Sequence, residues 1–366
     1  MKVFIFTFLC VASRHILMTA WFNSSKEVHK HAGIDSVELG VIDMSFLLMY
    51  AIGNFILGVL GDSFRQKRVL CLSSFVSCLT YFSVIFNQII FLSYLKAMNF
   101  YSYIILFSVL GFTQSAIWPM TVAIMGVHYS KEVRGSIIGF WSVNSAAGDM
   151  IGYFLSSLLI SAGLGWVVVS SVSLCIFTIV ILGTFFFLPD AQVNEIIKPR
   201  ISVLDAIRLP TVLYYCACYA CIKFIHLSIM IWVPYYMYET IHIETKIGGI
   251  IMVLYSVGGI IGGISSGFIS DRVSDRSYVL LAMIMGSVPM ISLLNFELGN
   301  SELWSFVFIF VVGFLISGGS NFLSGVIAAD MCELNTEFEA KSTLTGLVDA
   351  SGGIGAAIGQ LIVRFI

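Results

Sequence analysis

The chain has 366 residues, 58% of them hydrophobic and 11% charged, with a net charge of −2 and a mean hydropathy of +0.96. A water-soluble chain of this length has no way to hide so much apolar surface, so the composition places the protein in a bilayer. The small net charge and the lack of a basic tract argue against nucleic acid or another polyanion as a partner.

Apolar runs fall at about 3–22, 38–60, 69–92, 101–127, 136–162, 165–188, 211–237, 247–269, 278–296, 304–328 and 342–366. The predicted fold class is therefore an all-α membrane protein with about eleven transmembrane helices. Residues 1–12 have the make-up of a signal peptide. No small-residue cleavage site follows before Arg14, however, and the run continues to Phe22, so it is read as the first helix. The longest separator, 189–210, holds Pro189, Pro199 and Pro210 with Lys198, Arg200 and Arg208. It divides the chain into an N-terminal six-helix bundle (1–188), a linker (189–210) and a C-terminal bundle of five helices (211–366). A twelfth helix is read as missing, as expected of a fragment or of a reduced family member.

Basic residues set the predicted orientation. With the amino terminus cytosolic, the cytosolic segments hold Lys2, Arg65, Lys67, Arg68, Lys131, Arg134, Lys198, Arg200, Arg208, Arg272, Arg276 and Lys341. The opposite side holds Lys26, Lys30, Lys96, Lys246 and Arg364. On that topology Asn23-Ser24-Ser25 is a glycosylation sequon, but Asn23 abuts the membrane and is expected to stay unmodified. Most cysteines lie within apolar runs, which argues against a disulfide framework. Cys218 and Cys221 have the spacing of a redox or metal pair, yet no second pair or nearby ligand accompanies them; packing is the preferred reading. No metal and no cofactor is expected, and no nucleophile constellation or nucleotide loop suggests an enzyme.

Two cations interrupt the pattern. Arg14 and Lys223 each lie about 12 residues into an apolar run, and at ~1.5 Å of rise per residue both fall near the middle of a ~30 Å hydrocarbon layer. Charge at that depth is costly and is normally kept for an ion or substrate path. The plainer alternative is an ion pair with a carboxylate that serves packing. The offset from Arg14 to Lys223 also separates Gly58 from Gly267, Asp62 from Asp271 and Gly53 from Gly262. The chain is thus read as two homologous halves, each placing a cation on its first helix, as in a transporter whose site lies between repeats. Two positive charges call for an anion.

The same repeat carries Gly58-x-x-x-Asp62-x-x-Arg65 and Gly267-x-x-x-Asp271-Arg272. Each copy is expected to put a small residue where helices cross closely, then an acid and a base at the membrane face. Ion pairs there would hold the cytosolic side closed, so these six residues are gating candidates; a solvated charged turn is the alternative. The element resembles the loop motif of the major facilitator superfamily.

A narrower resemblance follows. Ala12-Ser13-Arg14, the stretch 111–141 (GFTQSAIWPMTVAIMGVHYSKEVRGSIIGFW), Tyr219–Lys223 with Trp232-Val233-Pro234, the stretch 258–271 (GGIIGGISSGFISD) and the stretch 345–360 (TGLVDASGGIGAAIGQ) are similar to the sugar-phosphate exchangers, solute carrier family 37. The resemblance covers most of the chain. It implies two pseudo-symmetric helical bundles and an antiporter that exchanges a sugar phosphate or glycerol 3-phosphate for inorganic phosphate, usually in the endoplasmic reticulum membrane. It also implies that Arg14 stands for the family's phosphate-binding arginine and Lys223 for its seventh-helix lysine. His15 replaces a usual Lys and Asp149 a usual Asn, and Asp149 is expected to pair with Arg14 and weaken anion affinity.

His226 follows Lys223 by three residues on the same helix face and is a further binding candidate, or else a packed core histidine. Gln114, Trp118 and Tyr153 are expected to line the cavity. The empty site is expected to hold two like charges that resist reorientation until an anion binds. Two other readings stay open: a non-transporting membrane partner subunit with a transporter fold, motivated by His15, Asp149 and the missing helix, and a proton-coupled organic anion carrier using Asp149 or His226.

Overall fold

The computed structural model describes residues 1–24, 27–28, 34–91, 96–129, 137, 140–189, 203–209, 212–239, 241–243, 245–270, 272–273, 276–298, 300–324 and 341–363. The first half contains α1 (Lys2–Asn23), α2 (Ser36–Ser63), α3 (Gln66–Phe91), α4 (Lys96–Gln114), α5 (Ile117–His128), α6 (Asn144–Ser161) and α7 (Trp166–Phe187). A short α8 (Val203–Arg208) precedes α9 (Val212–Glu239), α10 (Thr245–Ser270), α11 (Arg276–Glu297), α12 (Glu302–Val312), a π-helical turn (Gly313–Ser317), α13 (Gly318–Phe322) and α14 (Lys341–Val363). Most of the expected linker lies outside the described residues.

Ten of the described spans are long and apolar enough to cross a membrane, α4 and α5 together forming one of them. α6 is not among the ten. It carries Asn144 and Asp149, and it packs within the bundle, where polar side chains find partners.

Local chemistry sets the helix ends. Asp35 and Glu38 form a reciprocal capping box at the start of α2, at 2.7 and 2.9 Å, so two amide donors that the helix leaves open are satisfied. Bulky apolar side chains such as Leu72 (66% exposed) and Phe186 (70%) face outward, while Asn54, Gln114 and Asn144 are fully buried. That distribution suits lipid as the solvent.

The internal repeat is visible in the packing. A Cβ at Gly111 of α4 would collide with the Phe46 carbonyl of α2, and one at Gly313 would collide with the Tyr255 carbonyl of α10. Likewise Gly53 abuts the Phe112 backbone and Gly262 the Phe314 backbone. The same close crossing, made possible by glycine, is therefore built once in each half. Between the halves, α2 packs along α14 and α6 along α10.

Candidate functional site

α1 and α9, the first helices of the two halves, enclose a cavity of about 70 Å³ with α2, α6 and α14. Arg14, His15, Trp118, Asp149, Lys223 and His226 all line it, so six of the eight expected binding residues meet at one place. Gln114 and Tyr153 do not line it. Gln114 is fully buried with neither amide atom hydrogen-bonded among the described residues, and the Tyr153 hydroxyl donates to the Met230 carbonyl at 2.7 Å, tying α6 to α9. Helical phase accounts for Tyr153, which lies on an expected helix but turns its hydroxyl to α9.

The two cations are held in different ways. Arg14 Nη1 donates to the Tyr50 hydroxyl at 2.9 Å, and its guanidinium carbon lies 5.0 Å from the centre of the Tyr50 ring. Among the described residues its buried Nε has no hydrogen-bond partner. Tyr50 in turn donates to Asp349 Oδ2 at 2.6 Å, and Asn54 Nδ2 donates to the same oxygen at 3.1 Å. Lys223 instead places its ammonium 5.4 Å from the Tyr219 ring centre. Gly352 backs the lysine stem, for a Cβ there would come within 2.9 Å of Lys223 Cγ.

Two expectations need correction here. Asp149 does not turn to Arg14; its Oδ1 lies 2.8 Å from His15 Nδ1. Nor is the site a bare pair of cations. Asp149 and Asp349 both line the cavity, so two acids stand beside the two bases. A buried cation without a counter-charge is far more costly than a paired one, which is the physical reason for the acids. Tyr50 and Asp349 went unrecognised among the sequence candidates. Asp349 carried a signal, an acid inside an apolar run, whereas nothing distinguished Tyr50 among so many aromatic residues.

His226 Nδ1 lies 2.7 Å from the Tyr255 hydroxyl, so this ring is oriented from α10 while lining the cavity. Trp118 stacks on Trp141 with ring centres 5.3 Å apart, which fixes the cavity wall on the α5 side. Chemically, the chamber can offer an anion a planar fork of donors from one half and a point charge from the other.

The gating candidates are distributed unevenly. Asp62 reaches from the end of α2 to the start of α14, where its carboxylate accepts hydrogen bonds from Ser342 N (3.1 Å), Thr343 N (2.9 Å) and Thr343 Oγ1 (2.6 Å). The contact is a helix cap between the two halves, placed where the amides and the helix dipole favour negative charge. Gly58 permits the approach, since a Cβ there would lie 3.1 Å from the Ser342 carbonyl. Arg65 lies in the turn between α2 and α3. In the second copy Asp271 lies outside the described residues. Arg272 folds back on its own helix, donating to the Phe268 carbonyl at 3.2 Å with its guanidinium carbon 3.5 Å from that ring's centre. Among the described residues nothing lies within 4 Å of a Cβ at Gly267, so the close crossing expected there is described only at Gly58.

On the opposite side, Asn23 is buried. It donates to Ser156 and Ser157 of α6, both at 2.8 Å, and accepts from Tyr238 of α9 at 2.8 Å. Its side chain thus joins both halves.

Residues 3–360 match the Major Facilitator Superfamily. The chain belongs to that superfamily. It is 31% identical to sugar phosphate exchanger 3 of Xenopus laevis, over 90% of this chain and 73% of the relative. It is 28% identical to the glucose-6-phosphate exchanger SLC37A2 of Mus musculus (90% and 74%) and 26% identical to the putative glycerol-3-phosphate transporter 3 of Arabidopsis thaliana (90% and 70%). Within the superfamily the chain is a member of the sugar-phosphate exchanger family and a multi-pass integral membrane protein, and its relatives are named as exchangers and transporters.

Proposed function

We propose that this protein is an alternating-access antiporter that exchanges a phosphorylated organic anion, a sugar phosphate or glycerol 3-phosphate, for inorganic phosphate. The observation that carries the reading is the meeting of Arg14 and Lys223, one from each half, on a single cavity between the bundles. An anion bridging them would draw α1 and α9 together, and its release on the other side would let the halves rock apart. Asp62 on α14 and Asn23 between α6 and α9 are the contacts that would break and re-form on the two sides. The names of the relatives support the substrate class. The basic residues of the loops support a cytosolic amino terminus, and the family resemblance supports residence in the endoplasmic reticulum membrane.

Counterflow tests the reading: proteoliposomes preloaded with phosphate should take up labelled phosphate, glycerol 3-phosphate or glucose 6-phosphate. A second reading rests on the internal acids. Asp349 reaches Arg14 through Tyr50, which is what a non-transporting partner subunit would retain to stabilise a disused cavity. A folded preparation with no phosphate binding and no counterflow would select it.

A further inference from the structure

The second half contributes a polar group that the binding of phosphate leaves unused. Inside the apolar run 304–328 stands Ser317-Gly318-Gly319-Ser320-Asn321, an unbroken series of small or polar residues. It starts at the end of the π-helical turn Gly313–Ser317. Such a turn inserts one residue, so the residues after it are rotated by about 100° relative to those before it, and turns of this kind recur at functional sites. Gly318 then crosses α10 so closely that a Cβ would lie 2.8 Å from the Gly262 backbone, which holds α13 in the rotated phase. In that phase Asn321 and Ser324 line the cavity together with Tyr219 and Lys223 of α9.

Asn321 is 8% exposed, and among the described residues its Nδ2 has no hydrogen-bond partner. One other buried nitrogen of the described cavity lining shares that state, Arg14 Nε. Neighbouring neutral groups of the lining are engaged. Thr19 Oγ1 donates to the His15 carbonyl at 2.8 Å, Ser145 Oγ to Asn144 Oδ1 at 3.1 Å, and Ser324 Oγ to the Asn321 carbonyl at 3.3 Å. A buried donor that meets no acceptor is costly, and a ligand that brings one removes the cost. The guanidinium suits a phosphate oxygen. A carboxamide is uncharged and presents a donor and an acceptor together, which is the complement of an alcohol hydroxyl.

We propose that Asn321 is a specificity-determining residue for the organic group, its amide hydrogen-bonding a hydroxyl of the phosphate ester while Arg14 and Lys223 hold the phosphate. The preferred substrate is then a hydroxylated phosphate ester, and an apolar ester of the same size leaves the amide unsatisfied. The inference rests on the carrier reading above and deepens it.

The experiment uses the full chain in proteoliposomes preloaded with phosphate, with labelled phosphate outside and unlabelled esters as competitors. Glycerol 3-phosphate is paired with propyl phosphate, and glucose 6-phosphate with cyclohexylmethyl phosphate, the second of each pair lacking the hydroxyls. In at least one pair the wild-type chain is expected to favour the hydroxylated ester by about tenfold or more in half-inhibiting concentration, because a site built to hydrogen-bond a hydroxyl rejects the analogue without it. Asn321→Ala and Asn321→Leu should bring that ratio to within about twofold of unity, and Asn321→Gln should keep part of it. The ratio is taken within each variant, so a structural defect, which weakens both esters alike, leaves it unmoved. A wild-type ratio near unity in both pairs overturns the proposal. A preference that Asn321→Ala or Asn321→Leu retains in full also overturns it, since the amide then serves only water or a neighbouring helix. Labelled-phosphate homoexchange in the same vesicles separates the two readings. Homoexchange without a hydroxyl preference removes only this inference, whereas no homoexchange removes the carrier reading and this one with it.

Discussion

Arg14 and Lys223 stand at matching places in the two halves, yet their surroundings differ. Arg14 is wired across the molecule: through Tyr50 it reaches Asp349 on α14, so the first-half cation is tied to the seam along which α2 and α14 meet. Lys223 stays within its own half, over Tyr219 and against Gly352. A repeated backbone therefore does not produce a repeated electrostatic arrangement. One cation senses the contact between the bundles, and the other supplies charge to the cavity.

The largest expected effect falls on the wired cation. Arg14→Ala should reduce phosphate counterflow at least about a hundredfold, since each charge-assisted hydrogen bond lost is worth roughly 1.5–3 kcal/mol and the fork supplies two. Arg14→Lys should rescue little, because an ammonium cannot span two phosphate oxygens. Near wild-type counterflow in Arg14→Ala would remove the anion site. Lys223→Ala should weaken phosphate by about tenfold, while Lys223→Arg keeps much of the activity, as expected of a point charge without Arg14's cross-molecule ties. If the two alanine variants lose the same amount, the asymmetry between the cations has no functional weight.

The acids refine the contrast. Asp349→Asn should release Arg14 from its internal competitor and raise phosphate affinity by about threefold in equilibrium binding, more than Asp149→Asn does, because Asp149 is engaged by His15. The reverse ranking would show that proximity to His15, and not the Tyr50 relay, sets the affinity. The smallest effect is expected at the seam itself. Asp62→Asn keeps a capping oxygen and loses only the charge, so it should cost at most about 0.5 kcal/mol at α14, slowing exchange slightly with substrate affinity nearly unchanged. A double-mutant cycle with Asp271→Asn on exchange rate is expected to show coupling above about 0.5 kcal/mol; additivity would take the second copy out of the gate.

Much of the site was legible because charge in an apolar run is conspicuous. Arg14, Lys223, His15, Asp149 and His226 each interrupt a hydrophobic stretch and all reach the cavity. Gln114 and Tyr153 were polar enough to attract attention, but Gln114 is buried away from the cavity and Tyr153 turns to α9. A helix's rotation about its axis is decided by its partners and is poorly marked when the whole helix is apolar.

Composition, hydropathy and the constant offset between matching residues were enough to establish a membrane protein made of two related halves with a cation on the first helix of each. Those properties are local, since burying a charge or a backbone amide in lipid carries the same penalty whatever the neighbouring helices are. Which acid meets which base is not local. Tyr50 and Asp349 are nearly the whole chain apart in sequence, and Asp62 finds its amides on a helix of the other half. Only the packing of α2 along α14 and of α6 against α1 decided that Arg14 answers to Asp349, that Asp149 answers to His15, and that two acids share the cavity with the two cations.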